Sequence, residues 1–356
     1  MTFSRNKYIR LAITMGDPGG IGPEIALKAV FRSKWPDAIR FILVGDGKLW
    51  REYARKLKLP QPRECKNIGE ADENQVSVWD PGAKMPDNLC AARCGLCDHG
   101  SSADPRWRPG HTGKCEGAAS LLWIRAAVTG CLAGAFDGLV TSPICKKSIQ
   151  AAGCKFPGHT EYLAHLAGVK NVAMMLMGGP LRVVLATRHV PVKLIPKFLT
   201  RAALTEAIEM AGLAVKWLGL PRKTIGVCAL NPHAGDNGLL GGEEKKIIAP
   251  VIGRLRKRGL KIDGIIPGDV IFHQALKNRF GAVVVMYHDQ GLAPLKMLSF
   301  ETGVNLTLGL PFVRTSPDHG TAFDIAGRGL ASSKSMIKAI KLAFRLVRRR
   351  NPWKPR

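Results

Sequence analysis

The sequence predicts an α/β fold with a largely parallel sheet, because short apolar runs alternate with longer amphipathic stretches. The apolar runs are rich in Val, Ile and Leu and too short for helices, as expected of buried parallel strands. They lie at residues 11–14, 41–44, 138–141, 182–186, 224–229 and 282–286. Helices are predicted at residues 23–31, 116–133, 204–218, 243–258 and 335–349. At 356 residues the chain exceeds what one hydrophobic core usually organises, so two domains are expected.

The pattern defines some elements more sharply than others. The last helix is the clearest, because Met336 and Ile340 repeat at helical spacing while Lys338 and Lys341 occupy another face. That arrangement is typical of a surface helix packed on a core. Residues 65–112 show little periodicity and many Gly, Pro, Asp and Asn residues, which predicts an irregular excursion with one or two edge strands.

The chain is strongly basic, with 53 Lys and Arg against 27 Asp and Glu and a formal net charge of +26. Such a charge suits nucleic acid, a membrane surface or an anionic metabolite. The basic runs at residues 51–66, 254–261 and 334–356 lack the interleaved aromatic residues of single-strand binders, which favours a solvated surface over nucleic-acid binding. No run of 18 apolar residues and no signal-peptide core is present, so a cytoplasmic protein without a membrane span is expected.

Nine cysteines in a chain of this length do not indicate a disulfide scaffold. Cys90, Cys94 and Cys97 form a C-x3-C-x2-C-x-H pattern with His99, and Cys115 follows nearby. The pattern lacks the paired C-x2-C units of a zinc ribbon. Two interpretations stay open, a structural zinc site and a loop that merely carries thiols.

A histidine follows each of three separate apolar runs, at His189, His233 and His288. Because the carboxyl ends of parallel strands converge on one edge of a sheet, these imidazoles are expected to meet there. Three neutral imidazoles leave open positions on a divalent metal, as a catalytic site requires. The alternative for any one of them is a hydrogen-bonded histidine at the start of a loop.

Other candidate residues have chemistry suited to anions. His159 and Thr160 open a predicted helix, where backbone N–H groups, an imidazole and a hydroxyl suit an anionic group; a helix cap by Thr160 is the alternative. Lys296 and Arg314 are cations in otherwise uncharged stretches and suit phosphate or carboxylate recognition, unless they are solvated surface charges. The glycine-rich residues 16–24 form either an anion-binding loop or a tight structural turn, and match neither the Rossmann nor the P-loop pattern.

Five ordered motifs make the chain resemble the 4-hydroxythreonine-4-phosphate dehydrogenases of pyridoxal phosphate biosynthesis, including relatives that act on phosphorylated four-carbon sugar acids. The resemblance covers nearly the whole chain. The motifs are TMGDPGGIGPE at residues 14–24, PGHTE at 157–161, LNPHAG at 230–235, MYHDQG at 286–291 and GVNLTLGLPFVRTS at 303–316.

The resemblance implies an α/β, two-domain fold like that of isocitrate and isopropylmalate dehydrogenases, with an interdomain cleft. It also implies a homodimer whose active site is completed by the partner subunit. The first domain would comprise residues 1–141 and 318–356, and the second, residues 142–317, would carry most metal and substrate residues. The implied metal ligands are His189, His233 and His288. The implied substrate contacts are His159, Thr160, Lys296, Asn305 and Arg314, with Lys296 and Asp269 as catalytic proton carriers.

The implied activity is oxidation of 4-phosphohydroxy-L-threonine by NAD or NADP with a divalent metal, zinc, magnesium or cobalt. The product, 2-amino-3-oxo-4-phosphooxybutanoate, would decarboxylate to 3-amino-2-oxopropyl phosphate. One alternative is a D-threonate or D-erythronate 4-phosphate dehydrogenase. Another is a basic nucleic-acid-binding protein on the same fold, against which the intact candidate ligands argue. The cysteine-bearing stretch and the basic charge depart from the family pattern. No cofactor-binding residues are assigned.

Overall fold

The computed structural model describes residues 8–65, 68–81, 107–220 and 223–354. The strands in chain order are β1 (Ile9–Thr14), β2 (Ile39–Val44), β3 (Arg63–Glu64), β4 (Val76–Trp79), β5 (Gly138–Thr141), β6 (Ala173–Gly178), β7 (Leu181–Leu185), β8 (Thr224–Cys228), β9 (Ile262–Ile266), β10 (Phe280–Val285), β11 (Val304–Leu308) and β12 (Val313–Pro317). The helices are α1 (Gly22–Phe31), α2 (Gly47–Lys56), α3 (Lys114–Leu132), α4 (Lys146–Ala151), α5 (His159–Leu166), α6 (Ile195–Phe198), α7 (Arg201–Trp217), α8 (Ala249–Lys257), α9 (Gly268–Leu276), α10 (His288–Ser299) and α11 (Lys334–Val347). The predicted α/β class is confirmed.

The chain divides into two compact units, Met1–Lys170 with Leu310–Arg356, and Asn171–Gly309. In the first unit the strand order is β3-β4-β2-β1-β5-β12, and every pairing between them is parallel. The last four residues of the central strand β1, Leu11 to Thr14, are buried, as expected of a parallel strand with neighbours on both sides. The predicted strands at 11–14, 41–44 and 138–141 are therefore confirmed.

The second unit has the strand order β11-β6-β7-β10-β8-β9. Strands β7, β10, β8 and β9 are mutually parallel, whereas β6 is antiparallel to both β7 and β11. Its core includes Leu176, Val183, Val285 and Leu295, all 2% exposed or less. The short Gly179–Pro180 connection between β6 and β7 forces a hairpin, and this antiparallel pair was not predicted from the apolar runs.

The unit boundaries differ from the predicted domain boundaries at 141/142 and 317/318. Residues 142–170 pack on the first unit: Ser148 Oγ donates to Asp17 Oδ2 at 3.0 Å, and Tyr162 Oη donates to the carbonyl of Leu121 at 3.4 Å. Residues 310–317 join the same unit because β12 pairs with β5. Candidate residues at positions 159, 160 and 314 consequently belong to the first unit.

The glycine-rich residues 16–24 fold as a tight, buried turn between β1 and α1. Gly16 has φ of +79°, and a Cβ there would lie 2.3 Å from the carbonyl oxygen of Pro143. A Cβ at Gly22 would lie 2.1 Å from the carbonyl oxygen of Met15. Asp17 closes the turn by accepting the backbone N–H of Gly19 at 3.0 Å. Of the two interpretations of this segment, its packing favours the structural turn.

The last helix, α11, packs on β12 as its pattern predicts. Met336 and Ile340 are fully buried, whereas Lys338 and Lys341 are exposed. None of the helices in the described part of the chain has both the length and the apolar composition that a membrane crossing requires. The thiols at positions 90, 94 and 97, and the imidazole at position 99, lie outside the described residues. The choice between a zinc site and a thiol-bearing loop therefore stays a prediction.

Buried Asp17 is expected to make stability fall as pH rises from about 4 to 7. Burial raises the pKa of its carboxyl to about 6, although hydrogen bonds from Gly19 and Ser148 oppose the shift. The folded protein binds this proton more tightly than the unfolded chain does. The resulting stabilisation is therefore complete below about pH 4 and is lost as the pH rises through about 6. The shift corresponds to roughly 3 kcal/mol.

Urea unfolding of the wild type and of Asp17→Asn at several pH values tests this expectation. The difference between their unfolding free energies should shrink by about that amount from pH 4 to pH 7, because asparagine does not titrate. Other carboxyl groups cancel in the difference. The expectation would be contradicted if the unfolding free energies of the two proteins changed with pH by the same amount across this range.

Candidate active site

His189 and His288 come together in the second unit at the ends of two adjacent strands. β7 and β10 are parallel and paired in register, Val183 with Val283 and Leu185 with Val285. His189 follows β7 and His288 begins α10 directly after β10. Their ring centroids lie 5.4 Å apart with an interplanar angle of 42°. The predicted convergence of imidazoles at carboxyl strand ends therefore holds for this pair.

The pair has the chemistry of two metal ligands. His288 Nδ1 lies 2.6 Å from Asp289 Oδ1, and a proton on Nδ1 that is donated to this carboxylate leaves the Nε2 lone pair for a metal. A metal ion about 2.1 Å from one nitrogen of each ring would put the two centroids roughly 5 Å apart. The observed separation fits such a shared ion.

His233 does not complete a metal-binding group within one chain. Among the residues that the structure describes, no three His, Cys, Asp or Glu side chains are grouped closely enough to hold a metal ion. His233 lies after β8, in the irregular turn Pro232–Gly238, and its side chain is exposed. The structure thus pairs two of the three predicted ligands and leaves the third facing solvent.

A buried polar cluster surrounds Arg314 in the first unit. Arg314 is 2% exposed, and its Nε and Nη2 atoms donate to Thr141 Oγ1 at 3.2 and 2.6 Å. The Nε2 atom of His159 is buried and has no hydrogen-bond partner among the described residues. A desolvated guanidinium and a buried nitrogen that lacks a partner suit an anionic group of a ligand.

The charges in this cluster follow from burial. Burial lowers the pKa of Arg314 to about 9, and the negative charge of Glu161 opposes the shift. Burial, with a smaller contribution from the charge of Arg314, places the pKa of His159 well below its ordinary value. At pH 7 the cluster therefore presents a cation beside a neutral imidazole.

The remaining predicted substrate residues divide between the two units. Thr160 is buried in the first turn of α5, whose N-cap is Gly158, so a capping role for Thr160 is not observed. In the second unit, Asn305 lies on β11 with a buried Oδ1 that has no partner in the described part of the chain. Lys296 is half-buried on α10, its Nζ 5.6 Å from the ring centroid of Phe300.

Asp269 differs from these residues because it is exposed, in the first turn of α9.

Thr141, the residue that orients Arg314, was not among the sequence-predicted candidates. Its position as the last residue of a predicted buried strand was a usable signal, because ligands bind beyond the carboxyl ends of strands in α/β sheets. Its partner on the neighbouring strand could not be identified without the pairing of β5 and β12.

An imidazole pair at the carboxyl ends of strands, and a buried cationic cluster, are each typical of enzymes that act on anionic small molecules. The family model described as "Pyridoxal phosphate biosynthetic protein PdxA" matches residues 37–343. The chain therefore belongs to the PdxA family, and the resemblance seen in the motifs is confirmed.

Individual relatives match over nearly their whole length. The 4-hydroxythreonine-4-phosphate dehydrogenase of Paracoccus denitrificans (strain Pd 1222) is 40% identical over 346 residues, covering 96% of this chain and 98% of the relative. A Bradyrhizobium diazoefficiens protein provisionally named D-threonate 4-phosphate dehydrogenase is 40% identical over 351 residues, covering 95% and 96%. The crystal structure of 4-hydroxythreonine-4-phosphate dehydrogenase from Klebsiella pneumoniae has a TM-score of 0.80 at 36% identity, covering 95% and 99%.

Proposed function

We propose that the protein is a metal-dependent dehydrogenase that oxidises 4-phosphohydroxy-L-threonine with NAD or NADP. The observation that carries the proposal is the paired His189 and His288, in a chain 40% identical to a 4-hydroxythreonine-4-phosphate dehydrogenase over 96% of its length. The secondary alcohol loses a hydride to the nicotinamide and a proton to the protein or solvent, giving a ketone. The resulting β-keto acid then loses carbon dioxide.

His189 and His288 are two ligands of the divalent metal in this proposal, and zinc, magnesium and cobalt are the candidate ions. When bound, such an ion lowers the pKa of a coordinated hydroxyl and stabilises the enolate formed on decarboxylation. The third ligand is His233 of the partner subunit. The exposure of this imidazole supports that assignment, because a ligand for another chain has to face outward in the isolated one.

Exposed apolar side chains of the second unit support a homodimer. Leu239 is 82% exposed and follows the His233 segment directly, while Met297 and Phe300 are 88% and 75% exposed at the end of α10. Large apolar side chains exposed to this degree are typical of an association surface. Their nearness in sequence to His233 and to Lys296 favours a dimer that completes the metal site.

Within the first unit, Arg314, His159 and Thr160 are the proposed substrate contacts, and Arg314 is the one suited to an anionic group. Within the second unit, Asn305 and Lys296 are the proposed substrate contacts. Arg314 supplies charge-assisted hydrogen bonds in a site from which water is excluded, so that each bond is stronger than in water. Lys296 and Asp269 are proposed to carry protons. No residue is assigned to the nicotinamide cofactor.

A related substrate is the second candidate. The provisionally named D-threonate 4-phosphate dehydrogenase, at 40% identity, favours a sugar-acid phosphate in which a hydroxyl replaces the amino group. Such a substrate keeps the same secondary alcohol and anionic groups. The metal ligands and Arg314 would therefore serve both substrates in the same way.

Production of NADH or NADPH from 4-phosphohydroxy-L-threonine tests the proposal, measured before and after chelation and again after return of zinc, magnesium or cobalt. We expect activity that is lost on chelation and restored by at least one ion. D-threonate 4-phosphate, assayed in parallel, separates the two substrate classes by their kcat/KM values. Absence of reduction with every ion and both substrates would contradict the dehydrogenase assignment.

A further inference from the structure

The turn that carries His233 has a backbone that its residues disfavour. Five consecutive residues, from His233 to Asn237, have φ of 53°, 55°, 81°, 40° and 56°. Only Gly235 among them adopts this left-handed region without a steric penalty. Such a conformation persists only where surrounding contacts hold it, so the contacts of this turn decide where His233 is placed.

Glu244 makes the most extensive of these contacts. Its side chain is buried, and its Oε1 accepts the backbone N–H groups of Leu230 and Asn231 at 2.9 and 2.8 Å. Its Oε2 accepts the Asn231 side-chain amide at 3.0 Å. The same carboxylate thus binds the segment that enters the turn through three hydrogen bonds. Glu244 also begins the π-helical turn Glu244–Ile248, a feature that is frequent at functional sites.

The middle of the turn approaches the same carboxylate. A Cβ added at Gly235 would lie 2.8 Å from Glu244 Oε2, which shows how closely the backbone approaches. Asn231 and Gly235 lie two residues before and two residues after His233. Burial alone would raise the pKa of Glu244, but the hydrogen bonds from Asn231 outweigh it and the pKa lies below its ordinary value. The group is therefore an ionised carboxylate that acts as an acceptor.

We infer that Glu244 is a positioning residue. It contacts the chain on both sides of His233 and so holds the imidazole in the orientation that metal ligation requires. This inference rests on the metal site proposed above. Mutation of a residue that orients a metal-binding side chain typically changes metal affinity by about 10- to 100-fold. Neither the sequence motifs nor the family resemblance singled out Glu244.

Glu244→Gln tests the inference because it keeps the size of the side chain but replaces one acceptor with a donor that faces the Asn231 amide. Glu243→Gln is the matched control, since Glu243 accepts the same Asn231 amide at 2.9 Å, whereas the described backbone N–H groups of Leu230 and Asn231 donate to Glu244. Zinc affinity is measured by calorimetry on the full-length protein. Hydrogen exchange of the Leu230 and Asn231 amides is measured without metal.

We expect Glu244→Gln to weaken zinc binding by about 10- to 100-fold and to accelerate exchange of both amides, whereas Glu243→Gln changes each by less than about threefold. If Glu244→Gln fails to fold, Asn231→Ala is used instead, and a smaller loss in the same direction is expected.

Zinc affinity within about twofold of wild type in a folded Glu244→Gln protein would overturn the inference. A lowered melting temperature with unchanged affinity would reduce Glu244 to a purely structural role and overturn it equally. A wild type that binds no divalent ion would count against the proposed function instead. In that case amide exchange decides, and unchanged exchange in Glu244→Gln would show that Glu244 does not hold the turn.

Discussion

Replacing His288 by alanine is expected to abolish metal-dependent oxidation, with kcat falling by about 10³-fold or more. His288 supplies one imidazole of the pair formed with His189, and the two ring centroids lie 5.4 Å apart. A metal that polarises a reacting oxygen contributes several kcal/mol to the transition state, and each 1.36 kcal/mol corresponds to about tenfold in rate. His189→Ala should behave in the same way.

The matched control is His273→Ala, which removes an exposed imidazole from α9 in the same unit. It should leave both activity and metal content close to wild type. Metal content after dialysis, measured by atomic emission, gives a readout that does not depend on turnover. A His288→Ala protein that retains full metal content and activity would show that the imidazole pair is not the metal site.

The second large effect is expected at Arg314, where Arg314→Met should lower kcat/KM by about 10³-fold. The guanidinium is 2% exposed, so a substrate anion that enters this cluster without its cation loses a charge-assisted hydrogen bond while it is desolvated. Arg314→Lys should recover only part of the loss, because an ammonium group lacks the planar fork of donors. Steady-state kinetics with each substrate measures these values.

Thr141→Val is the companion variant, because it removes the hydroxyl that accepts from Nε and Nη2 of Arg314 and preserves side-chain shape. We expect a smaller fall, of about 10-fold, mostly as a higher KM, with Thr141→Ser near wild type. Arg328→Met, at an exposed position, is the control for loss of positive charge. Equal kinetics of Arg314→Met and Arg328→Met would contradict the assignment of Arg314 to the substrate.

The identity of the anion that Arg314 binds is open to the same measurements. Dephosphorylated 4-hydroxythreonine retains the carboxylate but lacks the phosphate. If Arg314 binds the phosphate, wild type and Arg314→Met should handle the dephosphorylated compound almost equally, because the interaction has been lost in both. If the difference between the two proteins persists, the guanidinium binds the carboxylate.

Several parts of the structure followed from local patterns in the chain. The apolar runs marked β1, β5, β7, β8 and β10 because a strand buried on both faces has to be apolar throughout. The histidines after β7 and β10 could be expected to meet, since parallel strands deliver their carboxyl ends to one edge. The motifs identified the family because their residues and spacing can be read directly from the sequence.

Other features depend on contacts between distant segments, which a single sequence does not display. The antiparallel pairing of β6 and β11, and the packing of residues 142–170 on the first unit, are set by partners far along the chain. The role of Thr141 could not be predicted for the same reason, because it depends on Arg314 of the neighbouring strand.

Residue chemistry and the positions of most strands could thus be predicted from the amino-acid sequence, whereas the placement of each functional group could not. His233 makes the difference clear: its type and its position after a strand predicted a metal ligand, but its left-handed backbone and its exposed ring are seen only in the folded chain. Local sequence specifies periodicity and polarity, while the position of a side chain in space is set by long-range packing and hydrogen bonds that act together.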